Sequence, residues 1–175
     1  MVRVGDRVGP GEPVVVDAVR AASFAAALDP SGVGVAAAGH VESTGARDVG
    51  GARTAAPATM VVALALGAAG GPVDLLGPLV RSGEAAGVVH GDQQLTVHRP
   101  VRVGDRLVFA STVRTVRRLP GALMTVIVTE AIDVTDAGPD GIDGEVVADL
   151  QATFVLADPA APAADPSAPA AGPAS

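Results

Sequence analysis

Two neighbouring segments decide the fold of this chain: Val88-Val89-His90-Gly91-Asp92-Gln93-Gln94, and then His98-Arg99-Pro100-Val101-Arg102-Val103-Gly104-Asp105-Arg106. In the first segment, a cluster of polar side chains opens a strand. In the second, a proline interrupts the strand, and the Gly-Asp pair favours a turn in which the aspartate accepts backbone N–H bonds. From residue 107 onward apolar and polar residues alternate again, so two long strands joined by an irregular turn are predicted.

The alternation continues through the rest of the chain. Pro120-Gly121 predicts a turn, and Ala122–Val134 predicts a strand that returns along its predecessor. Every second residue of the last segment is apolar: Val146, Ala148, Leu150, Ala152, Phe154 and Leu156. This pattern is typical of antiparallel strands that bury one face.

Two helices precede the strands. Asp17 is a suitable N-cap for a helix over Ala18–Leu28, which Asp29-Pro30 ends. A second helix is predicted over Ala58–Ala69, and because it is apolar all round we expect it to be buried on every side. We expect a glycine-rich loop over residues 31–53 and an irregular segment over 72–87. An apolar helix followed by long curved antiparallel strands predicts an α+β hot-dog fold, in which a long central helix is wrapped by the sheet.

Composition limits the function. The 175-residue chain has no cysteine and a net charge of −7, which argues against a thiolate metal site and against a nucleic-acid partner. We predict one domain over 1–156 and a disordered Ala/Pro-rich tail over 157–175. The apolar run Ala55–Ala69 is shorter than the roughly 20 residues that span a bilayer. We therefore expect a cytoplasmic protein with no membrane partner, no metal and no cofactor.

The ordered series from Val88 to Thr112 resembles the MaoC-like acyl dehydratases. It is most similar to the fatty-acid-synthase-type subunit of actinobacteria that corresponds to the N-terminal half of MaoC dehydratases. Ala56-Pro57-Ala58-Thr59-Met60 is similar to the start of that family's central helix, with departures at Ala58 and Met60. The resemblance implies a (3R)-hydroxyacyl or trans-2-enoyl thioester substrate, carried by CoA or by an acyl-carrier protein.

Catalytic members of this family carry an Asp-x-Asn-Pro-x-His run, whose Asp and His act as general base and acid. Here the corresponding run is Asp29-Pro30-Ser31-Gly32-Val33, and His40 follows eleven residues after Asp29. Asp29 and His40 are therefore the only catalytic candidates that the resemblance provides. The departure implies a non-catalytic subunit that pairs with a MaoC-type catalytic subunit as a heterodimer, with a homodimer as the alternative.

His90, Gly91, Asp92 and Gln93 are the candidate substrate-binding residues, because the resemblance is densest there and polar groups can bind a thioester. The alternative is a hydrogen-bonded cluster that orders the start of the strand. We expect His98 to be exposed or at an interface. The basic patch Arg114, Arg117 and Arg118 can meet an acidic carrier protein or a CoA phosphate, or it can simply protect a strand edge.

Three functions stay open at this point. The first is the acyl-binding subunit of a heterodimeric dehydratase or enoyl hydratase in fatty-acid metabolism. The second is a self-sufficient hot-dog hydratase or thioesterase that uses Asp29 with His40 or His90. The third is a non-enzymatic hot-dog protein that binds a ligand or a partner.

Overall fold

The elements of the chain follow in the order β–β–α–α–α–β–β–β–β in a computed structural model that describes residues 1–28, 53–137 and 144–160. The strands β1 (Arg7–Val8) and β2 (Val14–Val15) come first, before the helices α1 (Ala18–Leu28), α2 (Met60–Gly67) and α3 (Pro72–Arg81). Four long strands complete the described chain: β3 (Gly87–Val97), β4 (Arg106–Leu119), β5 (Ala122–Asp133) and β6 (Glu145–Ala157).

The strands form one antiparallel sheet in the order β1-β4-β5-β6-β3, and β2 also pairs with β4. Among the described strands, β3 pairs only with β6, so its other edge is open. This arrangement confirms the predicted α+β hot-dog fold and the turn at Pro120-Gly121, where Gly121 adopts φ 68°. The last strand extends one residue past the predicted domain end, because Ala157 still pairs with Ala122.

All three helices lie against one face of the sheet, which we call the inner face; the opposite side is the outer face. Met60 and Leu64 of α2 pack with Phe109 and Leu150 in one buried cluster. A second buried cluster joins Leu76 and Leu79 of α3 to strand residues of the inner face, which are Val113, Ile127, Ala152, Phe154 and Leu156. Burial of this alternate set explains why the period-two pattern predicted the strands correctly.

Two helix predictions were wrong in part. The central helix α2 has eight residues rather than the full Ala58–Ala69 run, and it is not buried on every side, since Ala63 and Gly67 are exposed. Because α2 rests on a single sheet face, Ala63 and Gly67 lie on the side that faces away from it. Residues 72–81 form α3 rather than an irregular segment. Pro78 inside α3 lowers helix propensity, and burial of Leu76 and Leu79 overrides it.

The two N-terminal strands were not predicted, because two residues are too few to show a period.

The connection between β1 and β2 packs closely over β4 at Gly9, which lies against the Phe109 carbonyl. A Cβ built on Gly9 would be 2.3 Å from that oxygen. Gly70, between α2 and α3, meets the same oxygen, and its Cβ would lie 2.0 Å away. Gly70 also has φ 82°, a conformation that favours glycine. Glycine at both positions lets the backbones of the β1–β2 connection, the α2–α3 junction and β4 lie in contact.

None of the described helices is long and apolar enough to cross a membrane alone. The pair α2 and α3, bent by 43° at the break between them, passes the same test together on length and composition. The side chains of α2 belong mainly to the first buried cluster, and those of α3 belong to the second.

Candidate functional site

His90 lies on the inner face near the open edge of the sheet. It is in register with Phe154 of β6, and the two rings stack with centroids 4.9 Å apart and planes 21° apart. Phe154 is 4% exposed and belongs to the cluster around α3. The exposed imidazole therefore covers part of a hydrophobic cluster at the open edge of the sheet.

A β-bulge at Gly91 separates the candidate substrate-binding residues. The register of β3 shifts between His90 and Asp92, so that His90 faces Phe154 and Asp92 faces Thr153. Since neighbouring residues of β6 point to opposite faces, His90 lies on the inner face and Asp92 on the outer face. The four residues are thus adjacent in the chain but do not converge on one point, and their contact with substrate stays a prediction.

Gln93 returns to the inner face, in register with Ala152. Its side-chain amide donates hydrogen bonds to the backbone oxygens of Gln94 at 2.9 Å and Gln151 at 3.3 Å. These two bonds tie the Gln93 side chain to the backbone of β3 and β6 next to the bulge.

The catalytic candidates Asp29 and His40 lie outside the described residues. The structure instead shows how the two ends of the segment that carries them are held. Gly104 donates its N–H to Val16 at 2.8 Å, and Val16 donates back to the Asp105 carbonyl at 2.9 Å, just before α1. After the segment, Val103 donates to the Thr54 carbonyl at 2.8 Å. The turn before β4 therefore binds the chain on both sides of residues 17–53.

Asp105, at the centre of this turn, is fully buried. Its Oδ2 accepts hydrogen bonds from Arg99 Nη1 and from the Arg102 backbone N–H, both at 2.9 Å. The backbone bond confirms the predicted turn geometry. On the other side, Arg53 Nη1 lies 2.8 Å from Asp105 Oδ1. Arg53 and Arg99 thus share one buried carboxylate.

Arg99 also contacts Asp133 and Glu145, so it joins the turn to the ends of β5 and β6. Burial lowers the pKa of Arg99, but the hydrogen bonds to Asp105 and Glu145 outweigh that effect and raise the pKa above its ordinary value. Sequence reasoning missed this ion cluster. Its only signal was the occurrence of three arginines and one aspartate within residues 99–106, and this composition does not show which strand ends meet there.

A histidine–carboxylate pair lies on the other side of the sheet. His98 Nε2 is 2.7 Å from Asp149 Oδ2, and each side chain is 40% exposed. His98 is therefore exposed, as predicted. Its partner Asp149 is in register with Thr96 on the outer face, so this pair is separated by the sheet from the cluster that His90 covers. Arg114, Arg117 and Arg118 are exposed on the second half of β4.

Comparison with known protein families identifies the family to which the chain belongs. Residues 3–149 match the family model described as the FAS1-like, dehydratase domain region. The chain belongs to this FAS1-like dehydratase family. The match covers the buried turn and all of β3, β4 and β5. Membership supports a hydratase-type role.

Relatives of this member of the FAS1-like dehydratase family include a UPF0336 protein of Streptomyces avermitilis, which is 35% identical over 119 residues, 67% of this chain and 73% of the relative. Among solved structures, this chain is similar to the HadBC (3R-hydroxyacyl-ACP dehydratase) complex of Mycobacterium tuberculosis. The TM-score is 0.59 and the identity is 24%, over 89% of this chain and 98% of that chain. The ChsH1–ChsH2 complex of the same organism gives a TM-score of 0.58 at 19% identity, over 88% and 90% of the chains. These structures support the hot-dog fold.

Proposed function

We propose that this chain is the acyl-binding, non-catalytic subunit of a heterodimeric (3R)-hydroxyacyl-thioester dehydratase. The substrate is a hydroxyacyl or enoyl thioester of CoA or acyl-carrier protein, and the compartment is the cytoplasm. The catalytic Asp and His come from a MaoC-type partner chain. Family membership supports the reaction class, and the similar HadBC and ChsH1–ChsH2 structures, both complexes of two different chains by name, support the pairing.

The placement of His90 carries this proposal. Its ring covers Phe154 at the rim of the inner-face cluster, and within the described chain it makes no hydrogen bond to a carboxylate. The histidine that does contact a carboxylate, His98, is on the outer face. Addition or loss of water across a Cα–Cβ bond needs an acid and a base fixed near both carbons. His90 is therefore suited to bind the thioester rather than to move its protons alone.

The open edge of β3 is the proposed attachment site for the partner. Alternate residues of the eleven-residue β3 direct backbone N–H and C=O groups to that side, and these groups are unpaired within the described part of the chain. A partner strand that pairs there satisfies those groups and continues the sheet. Such pairing places His90, Gly91 and Gln93 at the seam between the subunits.

The reaction itself tests the proposal. The chain, a candidate MaoC-type catalytic subunit from the same organism and the co-expressed complex are each assayed for hydration of crotonyl-CoA. We expect turnover from the complex and none above background from this chain alone. Asp29→Ala and His40→Ala should leave the rate of the complex within about twofold, because the proposed catalytic Asp and His belong to the partner chain. A twofold change corresponds to less than ~0.5 kcal/mol in the activation barrier.

Turnover by the isolated chain at about 1 per second or faster, abolished by Asp29→Ala or His40→Ala, would contradict the proposal. That result would assign a self-sufficient hydratase to this chain. Binding of an acyl thioester without turnover in any combination would instead support the non-enzymatic alternative.

A further inference from the structure

Many of the arginines of this chain are concentrated at one margin of the sheet, which β1 and β4 form. The segments 1–8 and 112–119 hold five of the twelve basic residues but only one carboxylate, in a chain of net charge −7. The two segments lie side by side, because β1 pairs with β4 and Gly5 donates its N–H to the Val113 carbonyl at 2.9 Å. All five side chains are exposed: Arg3, Arg7, Arg114, Arg117 and Arg118. This margin is therefore a basic surface on an acidic protein.

The charge of these five arginines is not neutralised within the described chain, where none of them forms an ion pair. Asp6, the one carboxylate of the two segments, accepts a hydrogen bond from the Arg3 backbone N–H at 2.7 Å. Glu130 lines one hollow with Arg7 and Arg114 but pairs with neither. A cluster of one sign of charge attracts a partner of the opposite sign.

Three of the five arginines form a row on the outer face, which we call the arginine row. Arg7 is in register with Thr112, and Arg114 lines the same hollow as these two residues. Arg117 is in register with Met124, which also points to the outer face. From the level of Thr112 to Arg117 there are five steps of about 3.3 Å, so the arginine row is about 16 Å long.

The length of the arginine row favours a protein over a small anion as its ligand. A phosphate group binds arginines through hydrogen bonds of about 3 Å, so one such group cannot bridge the whole row. An α-helix rises about 1.5 Å per residue, so about eleven helical residues cover the row. Carboxylates on one face of such a helix, spaced over three turns, can reach all three arginines.

We propose that the arginine row binds an acidic helix of the acyl-carrier protein that delivers the thioester. This inference rests on the proposed function and names the carrier of its substrate. Met124 and Val126 of β5 are half-buried beside the row and provide apolar contact, and Met and Arg are both enriched at protein interfaces. The row lies at the margin of the sheet opposite to β3, so the carrier and the partner subunit can bind at the same time.

The register of the sheet places one end of the arginine row near the level of His90. Successive pairs through β5 and β6 connect His90 to Val116, the residue before Arg117. Three strand spacings of about 4.8 Å separate β3 from β4, so His90 and Arg117 are about 15 Å apart across the sheet. The thioester of a carrier protein is at the end of a long flexible arm. Because β3 begins at Gly87, three residues before His90, that arm can pass around the end of the sheet to the inner face.

Charge reversal tests the proposal on the full-length chain in its co-expressed complex, with crotonyl-acyl-carrier protein and crotonyl-CoA as the two probes. Arg114→Glu/Arg117→Glu should weaken binding of the carrier about tenfold or more at low ionic strength, and less at high ionic strength, because salt screens exposed charges. Calorimetric titration measures the affinity without turnover. The KM for the carrier substrate should rise in parallel, while its kcat and both constants for crotonyl-CoA stay within about twofold, since the row does not contact the reacting carbons.

Arg20→Glu/Arg106→Glu makes the same change of net charge on α1 and at the other end of β4, and it should leave carrier affinity within about twofold. Circular dichroism establishes that each variant is folded. A folded Arg114→Glu/Arg117→Glu variant that binds the carrier like the original chain, or that loses crotonyl-CoA to the same extent as the carrier, would overturn the proposal.

The two readouts separate this inference from the proposed function. Carrier binding by an inactive complex, lost on charge reversal of the row, would support the inference and contradict the proposed function. An active complex whose KM for the carrier substrate is the same with and without the charge reversal would support the proposed function and overturn the inference.

Discussion

Arg53 and Asp105 form an ion pair, with Nη1 2.8 Å from Oδ1, between the segment that precedes α2 and the turn that precedes β4. Asp105 is completely buried, and Arg53 is the first described residue after the segment that carries Asp29 and His40. The hydrogen bonds of Val16 with this turn hold the chain on the other side of that segment. The turn that contains Asp105 therefore contacts the chain on both sides of this segment, through its backbone before the segment and through the buried carboxylate after it.

Asp105→Asn should lower the free energy of unfolding by about 3 kcal/mol, because it leaves two arginines without their shared buried carboxylate. Urea unfolding followed by circular dichroism measures the change. Asp136→Asn, on an exposed residue of the β5–β6 connection, is the matched control and should cost less than ~0.5 kcal/mol. An Asp105→Asn variant as stable as this control would show that the ion cluster contributes nothing to the fold.

The two arginines on Asp105 should not contribute equally. Arg53 is 42% exposed and Arg99 is 25% exposed with three carboxylate partners. Arg53→Ala should cost about 1 kcal/mol or less, as solvent screens an exposed ion pair, whereas Arg99→Ala should cost about 3 kcal/mol. The same urea titration ranks the two, and a larger loss for Arg53→Ala would be inconsistent with the geometry of the cluster.

His90→Ala should weaken acyl-thioester binding by the subunit pair about tenfold while the dimer stays folded, since the imidazole lies beside the apolar cluster where the acyl chain is proposed to bind. Calorimetric titration with crotonyl-CoA and thermal unfolding are run on the same variant. His98→Ala, on the outer face, is the control and should leave affinity intact. Unchanged affinity with a lower melting temperature for His90→Ala would remove His90 from the substrate-binding residues.

Gly70→Ala should destabilise the chain by about 3 kcal/mol or more, because its Cβ would lie 2.0 Å from the Phe109 carbonyl and its φ is 82°. Gly67→Ala provides the comparison. A Cβ at Gly67 meets no atom within 4 Å, and alanine is favoured over glycine in a helix, so a gain of about 0.5 kcal/mol is expected. Thermal unfolding measures both, and equal effects at the two sites would contradict the close packing of backbone at Gly70.

The buried hydroxyls under the α2–α3 junction make a further test. Ser111 Oγ donates to the Gly70 carbonyl at 2.8 Å and is 2.8 Å from Thr129 Oγ1. Ser111→Ala leaves the carbonyl and the hydroxyl of Thr129 without that partner, which should cost about 1–3 kcal/mol. Ser23→Ala, exposed on α1, should change stability by less than ~0.5 kcal/mol. An equal response at both serines would show that water or rearrangement replaces the lost bonds.

The local pattern of the sequence determined the four long strands β3 to β6, the turn at Pro120-Gly121 and the helix over Ala18–Leu28. Alternation with a period of two follows directly from burial of one sheet face, so it can be read without knowing what covers that face. It also determined that Gly104-Asp105 makes a turn, since a short acidic side chain can satisfy nearby backbone N–H groups by itself.

Tertiary structure alone decided the rest. Burial of Leu76 and Leu79 made a helix of a segment that contains Pro78, and pairing with β4 made strands of two-residue segments. It also placed His90 and Asp92 on opposite faces through one bulge, and it brought Arg53, Arg99, Asp133 and Glu145 to a single cluster around Asp105. Local sequence preferences extend over a few residues, whereas these contacts join residues tens of positions apart and exist only once the sheet has closed on its helices.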